Sequence, residues 1–562
     1  MMKSKFDGCK CKLCGHPIAL GAMIEKRQGV WAHVDCPTTA APTSDKPKSR
    51  RSSKAAPPVA KREPFKLTFT PSDYQQAIFD EAKTGKQHIA VIATAGSGKT
   101  TTAEVMTNYL DPSLSVWYGC FNVSVKLTAL KRNRMSASTL VNNYHAQGLH
   151  CITSTMLVTV KQHKTHAMLD AIAKDKSITP MIESNRWVIV RLVELCKSAL
   201  MLDPTQADIV NLADNHDLAL NGDDTFIARI VAQVMRDNTN KQWISTVDFG
   251  DMILYPATGK VKAEQRDIVI IDEAQDFDLA RIELAIQSCK PGGRIIAIGD
   301  PWQSIYACFG ADSHAMENII NRLGAKTLPL SISYRCPRLH VEYVRKLTGN
   351  TEIQAAPGAI EGTIESVSYD AGLEKMVSGD LVLCRTNAPL VAPAFALIRQ
   401  GKKAIIRGRD IGKGLITLIN KQAKKAACGD DLYKLLTALS DYQVKETAKL
   451  TAAKREKAIA LLDDQIDTIL AIADNVESIT GLKASIEKIF TDTDEGTVFS
   501  TVHKAKGGEA ERVFILQPEL MPHPMAVKSK NPESMISELH VQFVAFTRSK
   551  NTMYLMSGPS DL

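Results

Sequence analysis

The chain alternates short, almost unbroken apolar runs with longer stretches whose apolar residues recur at helical spacing. Runs at Ile89–Ala93, Ser115–Cys120, Ile268–Ile271 and Ile295–Ile298 are too short for helices and too continuously apolar for strands with one wet face. They predict a parallel sheet covered by helices on both sides. Between about 150 and 248 the pattern is mainly helical, an insertion into a first domain of residues 65–330. A second alternation follows over 331–562, with strands expected at Leu381–Cys384, Lys403–Arg407, Thr497–Thr501 and Val513–Leu516. It is interrupted over about 410–490 by a Lys/Glu/Ala/Leu-rich helical stretch. Heptads are not sustained across Lys445–Ala473, so amphipathic packing helices are expected there rather than a coiled coil. The expected class is α/β, with two parallel-sheet domains bearing helical insertions. No internal repeat is apparent.

Length and composition narrow this picture little. The 562 residues suffice for several domains at roughly 100–200 residues each. A hydrophobic content of 44% and a charged content of 23% are those of an ordinary globular protein. No stretch approaches the ~20 apolar residues of a membrane span, and Met1–Asp7 lacks the apolar core of a secretory signal. A cytoplasmic protein without a membrane partner is expected. The net charge of +8 fits a polyanionic partner without establishing one. Residues 39–64 form an expected disordered linker; its Lys46–Arg62 part, rich in Lys, Arg, Pro, Ser and Ala, has too little apolar content to fold. It reads equally as a solvated tether or as an arm that touches nucleic acid.

Four of the twelve cysteines fall within the first 36 residues. Cys11-Lys-Leu-Cys14 and His33-Val-Asp-Cys36 have the spacing of a zinc knuckle, with Gly15, Gly21 and Gly29 between them for tight turns. Cys9 and His16 are competing ligands. Three thiolates and one imidazole would close the shell of a structural Zn²⁺, and metal binding would supply most of the folding free energy of a module over residues 1–38. Such a module could also dock a protein partner.

The most specific chemistry lies in two segments. Ala93-Thr-Ala95-Gly96-Ser97-Gly98-Lys99-Thr100 follows the first strand and precedes a helix expected over Thr100–Leu110, the setting of a phosphate-binding loop. Residues Ala95–Thr101 would wrap the phosphates of ATP with backbone N–H groups at a helix N-terminus. Lys99 would reach the β- and γ-phosphates and Thr100 would bind Mg²⁺. Far downstream, Asp272-Glu-Ala-Gln-Asp276 closes another strand, so Asp272 would reach the metal and Glu273 the attacking water.

With these placed, further islands follow in order: Tyr74-Gln75-Gln76, Cys120-Phe121-Asn122, Asn143-Tyr-His145, Gly299-Asp-Pro-Trp302-Gln303-Ser-Ile-Tyr306, Ser333-Tyr334-Arg335-Cys-Pro337, Ser500–Glu509 and Val544-Ala-Phe-Thr-Arg548. This series resembles the superfamily 1 DNA helicases of the UvrD/Rep type over roughly Phe65 to the C-terminus. The resemblance implies two RecA-like domains sharing one ATP, with single-stranded DNA lying over both. By that resemblance Gln75, or as second choice Gln76, reads adenine, Tyr334 stacks on it, Glu509 contacts ribose and Gln303 senses the γ-phosphate. Arg335 and Arg548 would present their forks to the same phosphate. Phe121, Asn122, His145, Tyr306 and His503 would face the strand, where rings stack bases without regard to sequence.

The chain departs from the family after Tyr306, where Ala307-Cys-Phe309-Gly-Ala311 displaces the usual stacking ring and arginine; Phe309 or Trp302 would substitute. Gly508 stands where the family usually has leucine. Gln275 is the subgroup's spelling for motors running 3′-to-5′. The expected function is therefore an ATP-dependent translocase and helicase on single-stranded or tailed duplex DNA, in repair, recombination or replication. The alternative is an ATP-driven switch that displaces proteins from nucleic acid without processive unwinding. A helicase–nuclease fusion is not expected, because the chain ends shortly after Arg548.

Overall fold

A computed structural model of the chain describes residues 67–559, except 217, 219, 221–222, 306–313, 453–455, 475, 492, 494 and 530–531, together with the backbone of five short strands within the first 33 residues. Two compact units separate at residues 64 and 65. In the first, Met2–Lys3, Met23–Arg27 and Val30–His33 form an antiparallel sheet, and Cys9–Lys10 pairs with Pro17–Ile18. Cys11, Cys14 and Cys36 lie outside the described residues.

The second unit holds two parallel sheets. The first contains β1 (Ile89–Ala93), β2 (Val116–Cys120), β3 (Thr139–Asn143), β4 (Arg266–Asp272), β5 (Cys289–Gly299) and β6 (Lys326–Leu330), in the order β6-β1-β5-β4-β2-β3. Both faces are covered, so alternate residues serve two different cores. Ile89, Val91, Val116, Tyr118, Ile268, Ile270, Ile296 and Ile298 enter one cluster. Ala90, Trp117, Val269, Ile271, Ile295 and Ala297 enter the other. This double burial is why the strands read as unbroken apolar runs.

The second sheet contains β7 (Thr363–Val367), β8 (Leu381–Cys384), β9 (Ala404–Arg407), β10 (Phe490–Thr491), β11 (Thr497–Thr501), β12 (Ala510–Leu516) and β13 (Ser549–Met556), ordered β7-β13-β12-β8-β11-β9-β10. One face, with Val382, Phe499, Phe514 and Met556, carries helix Ala388–Arg399 and shares a core cluster with helices Arg409–Lys425, Leu432–Ala452, Glu456–Ala473 and Ile479–Ile489. The Lys445–Ala473 stretch thus belongs to two helices that pack on each other and on neighbouring helices, burying Leu450, Leu462, Ile466 and Ile469. The other face, with Leu381, Leu383, Val513 and Ile515, packs with Val341, Val344 and Phe543 and also with Ala95 and Ile305 of the first lobe. The two lobes therefore share a core cluster. Two parallel sheets of this kind fit two RecA-like domains.

Several strands run longer than expected: β4 is Arg266–Asp272 rather than Ile268–Ile271, β5 is Cys289–Gly299 rather than Ile295–Ile298, and β12 is Ala510–Leu516 rather than Val513–Leu516. The helix after the phosphate-binding loop runs Lys99–Met106 rather than to Leu110, and β9 starts one residue late at Ala404. The first insertion comprises helices Lys164–Ile172, Thr179–Ser198, Gln206–Asn215 and Asp224–Asp237 around their own core of Ile182, Ile189, Leu192, Ile227 and Val231. Among the described residues no helix is long and apolar enough to cross a membrane.

A buried ionic network ties this insertion to helix Phe249–Ala257. Lys164 donates to Asp251 at 2.7 Å and to the Asn238 carbonyl at 2.9 Å. Lys197 reaches Asp251 at 2.8 Å and Asp248 at 2.7 Å. The side chains of Lys164 and Asp251 are wholly buried. Removing the shared carboxylate leaves the buried Lys164 ammonium without an ionic partner and Lys197 with Asp248 alone, a change of about 3–5 kcal/mol. Asp251→Ala is expected to bring the unfolding of the insertion to lower urea by that amount, followed by the fluorescence of Trp187 and Trp243.

Candidate nucleotide site

Gly96 and Gly98 adopt positive φ of 71° and 79°, which lets the chain after β1 fold into a tight loop before the helix begins at Lys99. Gly98 caps that helix without a side-chain acceptor, which leaves the helix N-terminus able to receive an anion. Asp272 ends β4. Its Oδ2 accepts from the Thr100 hydroxyl at 3.3 Å and from the Tyr118 hydroxyl at 2.6 Å, and its Oδ1 accepts from the Glu273 N–H at 3.0 Å.

Glu273 has a φ of +55°, a left-handed conformation of order 1–3 kcal/mol above the ordinary regions for a residue with a Cβ. The turn brings its carboxylate to 3.9 Å from the Lys99 ammonium. Burial opposes its ionisation, but Lys99, the Gln275 amide, Lys506 and Arg548 hold its pKa below the usual value. Burial and the neighbouring Glu273 charge push Asp272 the other way, to about 6.

Gln275 links this carboxylate to the next strand end. Its Nε2 donates to Glu273 at 2.7 Å, while its Oε1 accepts from the Asp300 N–H at 3.0 Å. A Cβ at Gly299 would lie 2.8 Å from Gln275 Oε1 and 2.6 Å from Met316 Sδ, so it would displace the Gln275 amide or the Met316 side chain. The Asp300 carboxylate accepts from Gln303 Nε2 at 2.6 Å. Lys506 of the second lobe then donates to the Gln303 carbonyl and to both Asp276 oxygens, at 2.6 and 2.7 Å. A continuous polar path therefore runs from Glu273 into the second lobe. Lys506 lies inside the Ser500–Glu509 segment, yet nothing in the sequence singled it out; a lysine among Lys504 and Lys506 looks like surface.

The second lobe closes over the loop. The Tyr334 N–H donates to the Gly96 carbonyl at 2.9 Å, and a Cβ on Gly96 would meet Arg335 Cβ at 2.5 Å and Ser333 Oγ at 2.8 Å. The Tyr334 ring is 53% exposed beside this contact. Arg335 donates to Glu509 at 2.6 Å, and Glu509 also pairs with Lys550 at 2.7 Å. Glu509 thus holds Arg335 in this structure, where a ribose contact was expected. Arg548 is buried, held by the Val544 carbonyl at 2.7 Å and the Thr547 hydroxyl at 2.9 Å. Burial and Arg335 both work against its charge, a repulsion that an anion between the two guanidiniums and Lys99 would relieve. With the glycine loop, the uncapped helix and the Asp272–Thr100 pair, the donor set fits a triphosphate with Mg²⁺.

Other expected residues are distributed unevenly. Gln75 is buried, and its amide already serves a capping box: Oε1 accepts from the Ser72 N–H at 3.1 Å and Nε2 donates to Thr102 at 3.0 Å. The amide still lies near the loop, 3.8 Å from a Cβ built on Gly98. Gln76 instead faces solvent and bonds Asp80 at 2.8 Å. The Ser97 hydroxyl turns back to the Thr94 carbonyl at 2.8 Å, Thr101 accepts from Arg134 at 3.1 Å, and Ala95 joins the shared core.

On the expected strand-binding face, Asn122 caps helix Val123–Arg132 through the Val125 N–H at 2.9 Å. Phe121 is half-buried against the first core. His145 packs edge-on to Phe249 at 5.6 Å, and burial lowers its pKa to about 4. Burial and Arg385 lower His503 to about 3. Trp302 is half-buried, its ring on His540 and Phe543, at 5.5 and 5.7 Å, as part of the lobe contact. Tyr306 and Phe309 lie outside the described residues.

The fold and this site define a P-loop nucleotide-binding protein in which a second α/β lobe completes the pocket. Comparison with known proteins narrows the class. A family model described as an AAA domain matches residues 75–309, and one described as UvrD-like helicase C-terminal domain matches residues 341–558. ATP-dependent DNA helicase PcrA of Staphylococcus aureus is 38% identical over 71 residues, which are 12% of this chain and 10% of that protein. PcrA of Staphylococcus epidermidis is 38% identical over 69 residues, again 12% and 10%. The matched stretch thus spans about a tenth of the length of these curated relatives. Together the matches support a UvrD/Rep-type superfamily 1 helicase.

The contact over Gly96 yields a test. In Gly96→Ala, the left-handed φ adds about 1–2 kcal/mol and the methyl group collides with Arg335. The lobes are expected to stand further apart, with a larger radius of gyration by small-angle X-ray scattering and an ATPase rate at least ~10-fold lower.

Proposed function

We propose that the chain is an ATP-driven translocase on single-stranded DNA and a DNA helicase, moving 3′-to-5′ in repair, recombination or replication. The observation that carries this reading is the seating of Arg335 on Gly96, with Arg548 close enough to Glu273 and Asp300 to influence both. Groups from two lobes converge on one pocket, so a cycle that fills and empties it has a means of moving one lobe against the other.

Bound ATP with Mg²⁺ would supply the phosphoryl group whose transfer to water drives that cycle. Lys99 and the backbone N–H groups following Gly98 would bind the phosphates, with Thr100 and Asp272 holding the cation. Glu273 would accept the proton of the attacking water; its lowered pKa keeps it ionised at neutral pH. Arg335 and Arg548 would stabilise the charge spreading over the transferred group, an effect of about 10³–10⁵ in rate in related enzymes. Tyr334 would stack on the base, with Gln75 at the base edge. Gln303, bonded to Asp300 and through its carbonyl to Lys506, is placed to pass a change at the phosphate to the second lobe. Phe121, Asn122, His145, Tyr306 and His503 remain the proposed DNA contacts, with Phe309 or Trp302 in place of the displaced ring.

Glu273→Gln is expected to lower DNA-stimulated turnover by about 10²–10⁴-fold while ATP binding stays near the parental level. A parental rate in this variant overturns the assignment. On a duplex with a 3′ single-stranded tail, ATP-dependent strand release is expected; hydrolysis without release would favour the protein-displacing alternative.

We also propose that Cys11, Cys14, His33 and Cys36 hold one structural Zn²⁺. The Cys9–Lys10 strand pairs antiparallel with Pro17–Ile18, and His33 ends a strand in register with Ile24. Among the described residues no group of three or more His, Cys, Asp or Glu side chains is placed to hold a metal ion. Replacing Cys11 and Cys14 with serine is expected to remove one equivalent of zinc by elemental analysis and to leave the ATPase rate unchanged.

A further inference from the structure

Every residue of β2 is buried. Val116, Tyr118 and Cys120 point to the same core, where an aliphatic residue at the middle position would serve for packing alone. Tyr118 sits beside Ile270 in the parallel register of β2 with β4, two residues before Asp272. A side chain two positions diagonally across a sheet lies about 7–8 Å away. An aromatic ring with a terminal hydroxyl spans that distance, whereas valine or isoleucine does not. The Tyr118 hydroxyl donates to Asp272 Oδ2 at 2.6 Å.

The Asp272 carboxylate is thereby fixed from three elements: Thr100 from the loop helix, the Glu273 N–H from its own turn and Tyr118 from the neighbouring strand. Of these donors, Thr100 is the one assigned a metal contact of its own, and the N–H of Glu273 sits in a strained turn. Tyr118 has neither distraction. It is fully buried, with no exposed surface, and so acts on the cation only through Asp272.

We propose that Tyr118 is a positioning residue for the magnesium site, locking the rotamer of Asp272 through its hydroxyl. This inference rests on the ATPase reading above. Outer partners of metal-binding carboxylates typically contribute about 10–100-fold in metal affinity or activity, and a phenol bonded to a carboxylate is a charge-assisted donor of the stronger kind.

The test uses the full chain and Tyr118→Phe, which keeps the ring and removes the hydroxyl. Binding of a fluorescent ADP analogue in EDTA reports the metal-free pocket and is expected to match the parent. The Mg²⁺ or Mn²⁺ concentration that half-saturates tightening of the analogue should rise about 10–100-fold, as should the Mg²⁺ midpoint of the DNA-stimulated ATPase. Midpoints within twofold of the parent overturn the inference. Loss of analogue binding in EDTA marks a disturbed fold; Tyr118→Met, which refills the space without a donor, then decides by the same midpoints. A parental chain with no Mg²⁺-dependent ATPase overturns the functional reading instead, while the analogue titration still reads the metal site.

Discussion

The constraint on which the structure depends is the absence of a side chain at Gly96. A backbone loop built to surround phosphates also serves as the floor on which the second lobe rests, with Arg335 Cβ occupying the volume that any other residue would fill. Phosphate binding and lobe apposition are thus enforced at one residue. Around it, the shared apolar cluster of Ala95, Ile305, Cys336 and Val341 makes the closed arrangement a packed interface rather than a loose juxtaposition. Polar groups crossing that interface include Lys506 on Asp276 and on the Gln303 carbonyl, and the Tyr334 N–H on the Gly96 carbonyl.

Much of the fold was legible because both sheets are parallel and covered on both faces. Ile89–Ala93 and Leu381–Cys384 were bounded correctly from apolar continuity, and Thr497–Thr501 was bounded correctly although only Val498 and Phe499 in it are apolar. The strands that escaped notice are mainly those at sheet edges: Thr139–Asn143, Lys326–Leu330, Thr363–Val367 and Phe490–Thr491. An edge strand is only partly covered, so it tolerates the asparagines of β3 and the proline of β6 without losing its place. Ser549–Met556 is an inner strand, but its first half, Ser-Lys-Asn-Thr, is polar and hides the apolar second half.

The site divides along similar lines. Lys99, Thr100, Asp272 and Glu273 are held together by backbone geometry that a strand–loop–helix pattern implies, and the structure gathers them within hydrogen-bonding or ion-pairing reach. Residues whose work depends on what lies across space were not legible. Gln275 was read as a mark of polarity, although its amide joins Glu273 to Asp300. Lys506 and Tyr118 gave no signal, because a lysine near other lysines and an aromatic within an apolar strand are what surfaces and cores ordinarily contain. The contacts of Trp302 were equally hidden: its ring lies on His540 and Phe543, residues that the sequence places far away.

The burial of Ile305 and Trp302 against the second lobe has a thermodynamic corollary. Any stroke that parts the lobes must wet an oily plug, and wetting apolar surface raises heat capacity. The balance between open and shut forms should then bend with temperature instead of following a straight van 't Hoff line, so that cold and warmth each loosen the grip that is firmest in between.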